Sequence, residues 1–241
     1  MCSSCKKHAR YSKANSMIGD EIYENLSRIH KINIDDFVAP KLSSVPLFEF
    51  IVAVVLSQNT SDKNAWRAYA NLKKKLQVIT PQAVIEMGVD ELSSSIRVAG
   101  MHKQRSLKLI ELAKIFVERN IENALTNYVK SGRYDEARKL LIDLPGVGDK
   151  TADVVLLMRY GVPTFPVDTH IMRITLRLGF VNKKNYELVR SFWMKNTSPR
   201  YYLPLHLLLI THGRKTCRSR SPLCSECAIR RYCRYPAEDA K

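Results

Sequence analysis

The sequence predicts an all-α protein. From Leu47 onward apolar residues recur at the helical spacing of three and four, and no segment shows the strict alternation of a half-buried strand. Start and stop residues punctuate the pattern, with Ser, Thr or Asp ahead of the apolar runs and Gly behind them. At 241 residues the chain has room for one domain or two modest ones around a buried core.

The elements follow in order. Ala65, Tyr69, Leu72 and Leu76 form one stripe behind a Thr60-Ser61 start signal. Thr80-Pro81 opens the next helix, with proline at the first helical position, where its missing N–H costs nothing. Asp90 opens a short helix that stops at Gly100. From Ser106 to Val117, the residues Leu109, Leu112, Ala113 and Phe116 share a face. Tyr134 to Ile142 leads into Leu144-Pro145-Gly146-Val147-Gly148, and Thr151 to Tyr160 leaves it, stopped by Gly161. Pro163 and Pro166 mark the clearest linker. Asp168 to Leu178, Tyr186 to Lys195 and Leu203 to His212 complete the series, without internal repeats or low-complexity tracts.

The stretch from Leu144 to Ala152 carries the strongest chemical signal. Two glycines two apart, Gly146 and Gly148, let the backbone turn sharply and expose N–H groups at a helix N-terminus, which is an anion site. A DNA phosphate is such an anion. The pattern departs from a nucleotide-binding P-loop, because Asp149 stands between Gly148 and Lys150. Lys150 opens the second helix, where the positive end of the dipole favours its neutral, nucleophilic form. Asp168 is the candidate partner to orient that amine or take its proton. Its place ahead of an apolar run also suits a helix N-cap.

Charge and cysteines narrow the class. Thirty-nine Lys and Arg against 23 Asp and Glu leave a net charge of +16, which points to a polyanionic partner, most simply nucleic acid. No apolar run approaches the ~20 residues of a membrane span, and the N-terminus lacks the apolar core of a secretory signal. An intracellular protein is expected, with reduced cysteines available to metals. Cys217, Cys224, Cys227 and Cys233 follow the pattern Cys-x6-Cys-x2-Cys-x5-Cys. Zinc and iron–sulfur clusters both accept four thiolates, and the spacing alone leaves the metal open. Arg214, Lys215, Arg218, Arg220, Arg230, Arg231 and Arg234 crowd around them, with Glu226 the only acid between positions 200 and 236. The Cys217–Cys224 loop would hold Arg218 and Arg220 in place to grip phosphates. Cys2 and Cys5 form a lone CxxC in a polar leader that is expected to carry no function.

Leu144 to Ala152, then Val167-Asp168-Thr169-His170-Ile171, then the four cysteines, resemble in the same order the helix-hairpin-helix DNA glycosylases, specifically the endonuclease III-like branch. Weaker similarity runs from about Leu47 to Tyr235. Val55 to Thr60 and Ala99-Gly100-Met101-His102 resemble that branch's two DNA-probing loops. The resemblance implies a [4Fe-4S] cluster on the four cysteines. It implies two helical domains flanking a DNA-binding cleft: residues 1–46 with 163–241 as a discontinuous iron–sulfur domain, and residues 47–162 as a six-helix domain ending in the hairpin.

The implied activity is base-excision repair by a bifunctional DNA glycosylase with AP-lyase activity. Lys150 would attack C1′, Asp168 would stabilise the developing positive charge, and β-elimination through a lysine Schiff base would cut the strand. Gln58 and Met101 match the intercalating positions, and His102 lies beside Met101 in the same probing loop. The implied partner is double-stranded DNA holding a damaged base, an oxidised pyrimidine in this branch, or an abasic site, met by a monomer. Three rivals remain. One is a mismatch, uracil-thymine or adenine glycosylase of the same fold; the adenine-specific branch carries a further C-terminal domain, which is not expected here, since the sequence ends at Lys241, shortly after Cys233. The second is an 8-oxoguanine glycosylase, a branch that generally lacks the cysteines. The third is a non-enzymatic helix-hairpin-helix module clamped by zinc.

Overall fold

A computed structural model describes residues 17–235; Cys2 and Cys5 lie outside that range. Among the described residues every regular element is helical. In chain order these are α1 (Ile18–Ile29), α2 (Val38–Lys41), α3 (Leu47–Leu56), α4 (Asp62–Leu76), α5 (Pro81–Ser95) and α6 (His102–Glu118). There follow α7 (Ile121–Lys130), α8 (Tyr134–Ile142), α9 (Asp149–Tyr160), α10 (Thr169–Leu178), α11 (Tyr186–Lys195) and α12 (Tyr202–Lys215), with short 3-10 turns between some of them.

The expected start signals hold at atomic detail. The Ser61 side chain accepts from Asn64 N, Thr80 from Ala83 N, and Asp168 from Ile171 N. The α5 segment is broken at Gly88, which takes φ +74°, so the two short helices expected around Asp90 are present as one kinked unit. Helices α1, α2 and α7 were not anticipated. Helix α2 is a single turn burying Val38, too short to show a period, whereas α7 carries Ile121, Ala124, Leu125, Tyr128 and Val129 at helical spacing, a signal the sequence reading passed over.

Two separate apolar cores form. The first gathers α3 to α9 around α3, whose ten residues are all buried. A helix apolar on every side belongs at the centre of a bundle. Its one acid, Glu49, is fully buried and is matched by the Tyr69 hydroxyl and by Lys73 Nζ at 2.7 Å. The second core packs Ile22 and Leu26 of α1 against α10, α11 and α12, with Phe165 stacked on Trp193. Here Gly213 of α12 permits close contact with α10, because a Cβ at that position would stand 2.6 Å from His170 Cβ. Helices α9 and α10, on which Lys150 and Asp168 lie, are joined by the Pro163–Pro166 linker, and the cleft opens between the two cores.

Candidate active site

A cleft of about 730 Å³ is lined from one side by Gln58, Gly146, Gly148 and Lys150 and from the other by Asp168 and His206. Five of the residues singled out in the sequence thus share one cavity. Met101 and His102, Arg218 and Arg220, and the four cysteines lie outside its lining.

The hairpin between α8 and α9 is built as its glycines require. Gly146 takes φ +80°, a conformation costly for a side chain. Gly148 is different: its φ of −104° is open to any residue, and nothing lies within 4 Å of where its Cβ would stand. The fold itself therefore does not require a glycine there. Gly148 is also the N-cap of α9 and provides no side-chain cap, which leaves the first N–H groups of that helix open to an outside anion.

Lys150 is the second residue of α9 and half-buried. Burial drives its pKa below the ordinary lysine value and outweighs the opposing pull of Asp168 and then Asp62; Arg214 adds to the lowering. Asp168 caps α10, its Oδ1 accepting from Ile171 N at 2.8 Å. Buried His206 donates through Nδ1–H to Pro166 O at 2.9 Å. Its pKa is pushed down to about 4, chiefly by burial, with Lys150 lowering it further and Asp168 opposing. The imidazole is therefore neutral near pH 7. At the mouth of the cleft Arg214 of α12 meets Asp62 of α4 at 2.7 Å, an ion pair linking the halves.

The Val55–Gln58 segment is tied to α6 by one buried cation. Arg105 of α6 donates from Nη1 to Val55 O and Leu56 O at 2.7 Å each, and from Nη2 to Gln58 O at 2.9 Å. It caps the end of α3, where carbonyls lack helical partners. Gln58 turns back on the hairpin, with Nε2 donating to Gly146 O at 2.9 Å and to Thr151 Oγ1 at 3.0 Å. Met101 instead stands 57% exposed in a left-handed conformation (φ +50°) just before His102 opens α6.

The cysteine tail follows α12 and packs on the second core through Cys217, Cys227 and Cys233. Burial pushes the Cys227 thiol up to about 11, and Cys217, Cys233 and Cys224 each add to the rise, so those three lie within electrostatic reach of Cys227. Arg177 Nη1 donates to Cys217 Sγ at 3.4 Å, and His212 Nε2 lies 3.5 Å from Cys227 Sγ. Arg177 also holds the carbonyls of Arg218 and Ser219 at 2.7 and 3.0 Å. Arg218 and Arg220 are exposed beside them. Among the described residues no three Cys, His, Asp or Glu side chains converge as ligands of a single ion do.

Sequence reasoning missed Asp62, Arg105, Tyr186 and His206, and read Arg214 only as part of the basic tail. Their partners are distant in the chain, and none stands in a motif; the one local signal was His206 as a lone polar residue in the apolar run Leu203 to Ile210.

An all-helical protein with a desolvated lysine and an aspartate facing a cleft behind a glycine hairpin is the architecture of a DNA-repair enzyme. Residues 52–199 match the HhH-GPD superfamily of base excision DNA repair proteins, and the chain belongs to that family. Endonuclease III of Sulfolobus acidocaldarius is 34% identical over 229 residues, 93% of this chain and 99% of its own length. Endonuclease III of Escherichia coli K12 is 36% identical over 188 residues, 78% of this chain and 83% of its own. A solved structure of a trapped endonuclease III–DNA covalent intermediate, an estranged-adenine complex, superposes with a TM-score of 0.68 at 27% identity, covering 90% of this chain and 95% of that one. The chain is accordingly a DNA glycosylase/AP lyase of base excision repair. Among the described residues no helix is long and apolar enough to cross a membrane.

Proposed function

We propose that the chain, acting as a monomer, removes an oxidised pyrimidine from double-stranded DNA and then cuts the strand through Lys150. The observation that carries this reading is a lysine amine desolvated at the first turn of α9 that shares a cleft with Asp168. The two apolar cores support a division into residues 1–46 with 163–241 and residues 47–162; Val38 and Leu42 pack into the middle core and Leu157 into the other, stitching the two together.

A phosphate docks on the open N–H groups at Gly146 and Gly148. The damaged nucleotide leaves the stack, since C1′ is out of reach inside a duplex. Met101 is already exposed to fill the gap, and His102 meets the DNA beside it. Gln58 follows once its bonds to Gly146 and Thr151 open. Neutral Lys150 attacks C1′ and the base departs with the glycosidic electron pair. The Asp168 carboxylate stabilises the cationic centre and assists the proton transfers. The amine loses a proton as the C1′–O4′ bond opens, O4′ takes a proton to become a hydroxyl, and Lys150 remains bound as a protonated Schiff base, which acidifies the C2′ proton. Its loss drives β-elimination of the 3′ phosphate and breaks the strand. Exposed Arg218 and Arg220 grip the backbone alongside.

The four thiols would hold a [4Fe-4S] cluster, one thiolate to each iron, which when bound clamps the basic tail into a fixed loop. The donor set fits: three further cysteines lie within electrostatic reach of Cys227, all four are soft thiols, and a guanidinium donates to Cys217 Sγ. Iron and sulfide in metal analysis support this assignment, and one zinc without iron overturns it. Cleavage assays across thymine glycol, uracil, G·T and 8-oxoguanine duplexes test the substrate. Preference for thymine glycol is expected; preference for G·T or 8-oxoguanine assigns a different branch.

A further inference from the structure

We propose that Tyr186 is a positioning residue that sets the separation of Lys150 and Asp168. The proposal rests on the assignment of those two residues to the chemistry. Lys150 and Asp168 stand on helices joined by the Pro163–Pro166 linker, so something other than the chain path must hold them in register.

The Tyr186 hydroxyl does so from α11. It donates to Asp153 Oδ2 at 2.7 Å and accepts from Val167 N at 3.2 Å. Asp153 lies on α9 one turn beyond Lys150 and is fully buried, while Val167 immediately precedes Asp168. One oxygen atom thus connects the helix of the amine to the backbone of the carboxylate. The linker has a second peg in the same place, because buried Thr164 donates through Oγ1 to Asp153 Oδ1 at 2.8 Å. Arg138 Nε and Arg190 Nε each reach Asp153 at 3.1 Å and hold it fixed. Burial and the neighbouring Asp153 push the Tyr186 pKa up, so the phenol keeps its proton and its donor role. Tyr186 lines the cleft but acts through its neighbours.

The test is Tyr186→Phe, which keeps the ring and removes only the bridging oxygen. Single-turnover base excision and borohydride trapping on abasic duplex are expected to fall roughly ten- to a hundredfold, the scale of a small misplacement of reacting groups, with DNA affinity unchanged. The decisive readout is a cycle with Asp168→Asn. If Tyr186 works by placing the carboxylate, the loss it causes disappears once that carboxylate is gone, while the change in melting temperature stays the same in both backgrounds. Wild-type rates in Tyr186→Phe, or an equal loss in the Asp168→Asn background, overturn the proposal. Should the phenol be needed for folding, Thr164→Val removes the other linker bond to Asp153 and reads the same cycle. A Lys150→Gln protein that still traps would defeat the parent assignment instead, a result visible without any change at Tyr186.

Discussion

Replacing Asp168 with asparagine separates the capping task of that side chain from the catalytic one proposed for it. As a cap it uses one oxygen, the Oδ1 that accepts from Ile171 N at 2.8 Å. Asparagine caps about as well as aspartate, so the stability cost at the cap is expected to stay within about 0.5 kcal/mol. The charge is another matter. A carboxylate facing a cationic centre in a desolvated cleft is comparable to an oxyanion-hole donor, whose removal costs roughly 10²–10³ in rate. The same charge is the largest influence raising the pKa of Lys150, against the burial that lowers it. Without it the amine is neutral down to a lower pH, and the acidic limb of the trapping rate moves to lower pH even as the maximum falls. The sign for stability follows. The folded pKa of Lys150 lies below its unfolded value, so between the two the unfolded chain binds more protons and stability rises with pH. Asp168→Asn extends that window at its lower end. Single-turnover kinetics and thermal melts across pH measure both effects. Near-wild-type turnover, or an acidic limb displaced upward, would refute the reasoning and leave Asp168 a cap.

Three further sets of substitutions divide structure from binding. Gly146→Ala forces a side chain into φ +80° and is expected to cost about 1–2 kcal/mol in denaturant melts. Gly148→Ala meets open space and should leave stability intact while weakening DNA binding, with little change in salt dependence because backbone donors carry no full charge. Arg218→Ala and Arg220→Ala should instead lower the salt slope by about one unit for each phosphate that is no longer neutralised, and slopes matching wild type would detach the cysteine loop from the DNA backbone. Arg105→Met removes three charge-assisted bonds to carbonyls. A loss of about 3–5 kcal/mol follows, or roughly 6–20 °C in melting temperature, and a shift below about 2 °C would show that the Val55–Gln58 segment is held by other interactions.

Local signals carried much of this architecture. Ser61, Thr80 and Asp168 cap the helices they were expected to open, and Gly100 and Gly161 follow the helical segments they were expected to end. The hairpin glycines, Lys150 and Asp168 were legible because backbone geometry and helix-end electrostatics act over a few residues. What escaped depends on packing across the fold. The Asp62–Arg214 pair joins residues on opposite sides of the cleft, and the Arg105 carbonyl cage exists only because α6 packs across the end of α3. Gln58 stood out in the sequence as a probe, but its attachment to the hairpin depends on how Thr151 is packed. Cysteine spacing identified a ligand set without naming the metal, since four thiolates suit zinc and iron alike.

Borohydride trapping on abasic duplex tests the central claim most directly, because only an amine nucleophile leaves a covalent protein–DNA adduct. Wild-type protein should be trapped, and Lys150→Gln should bind the same duplex with similar affinity and yield no adduct. An adduct formed at the normal rate by Lys150→Gln would place the nucleophile elsewhere and contradict the account.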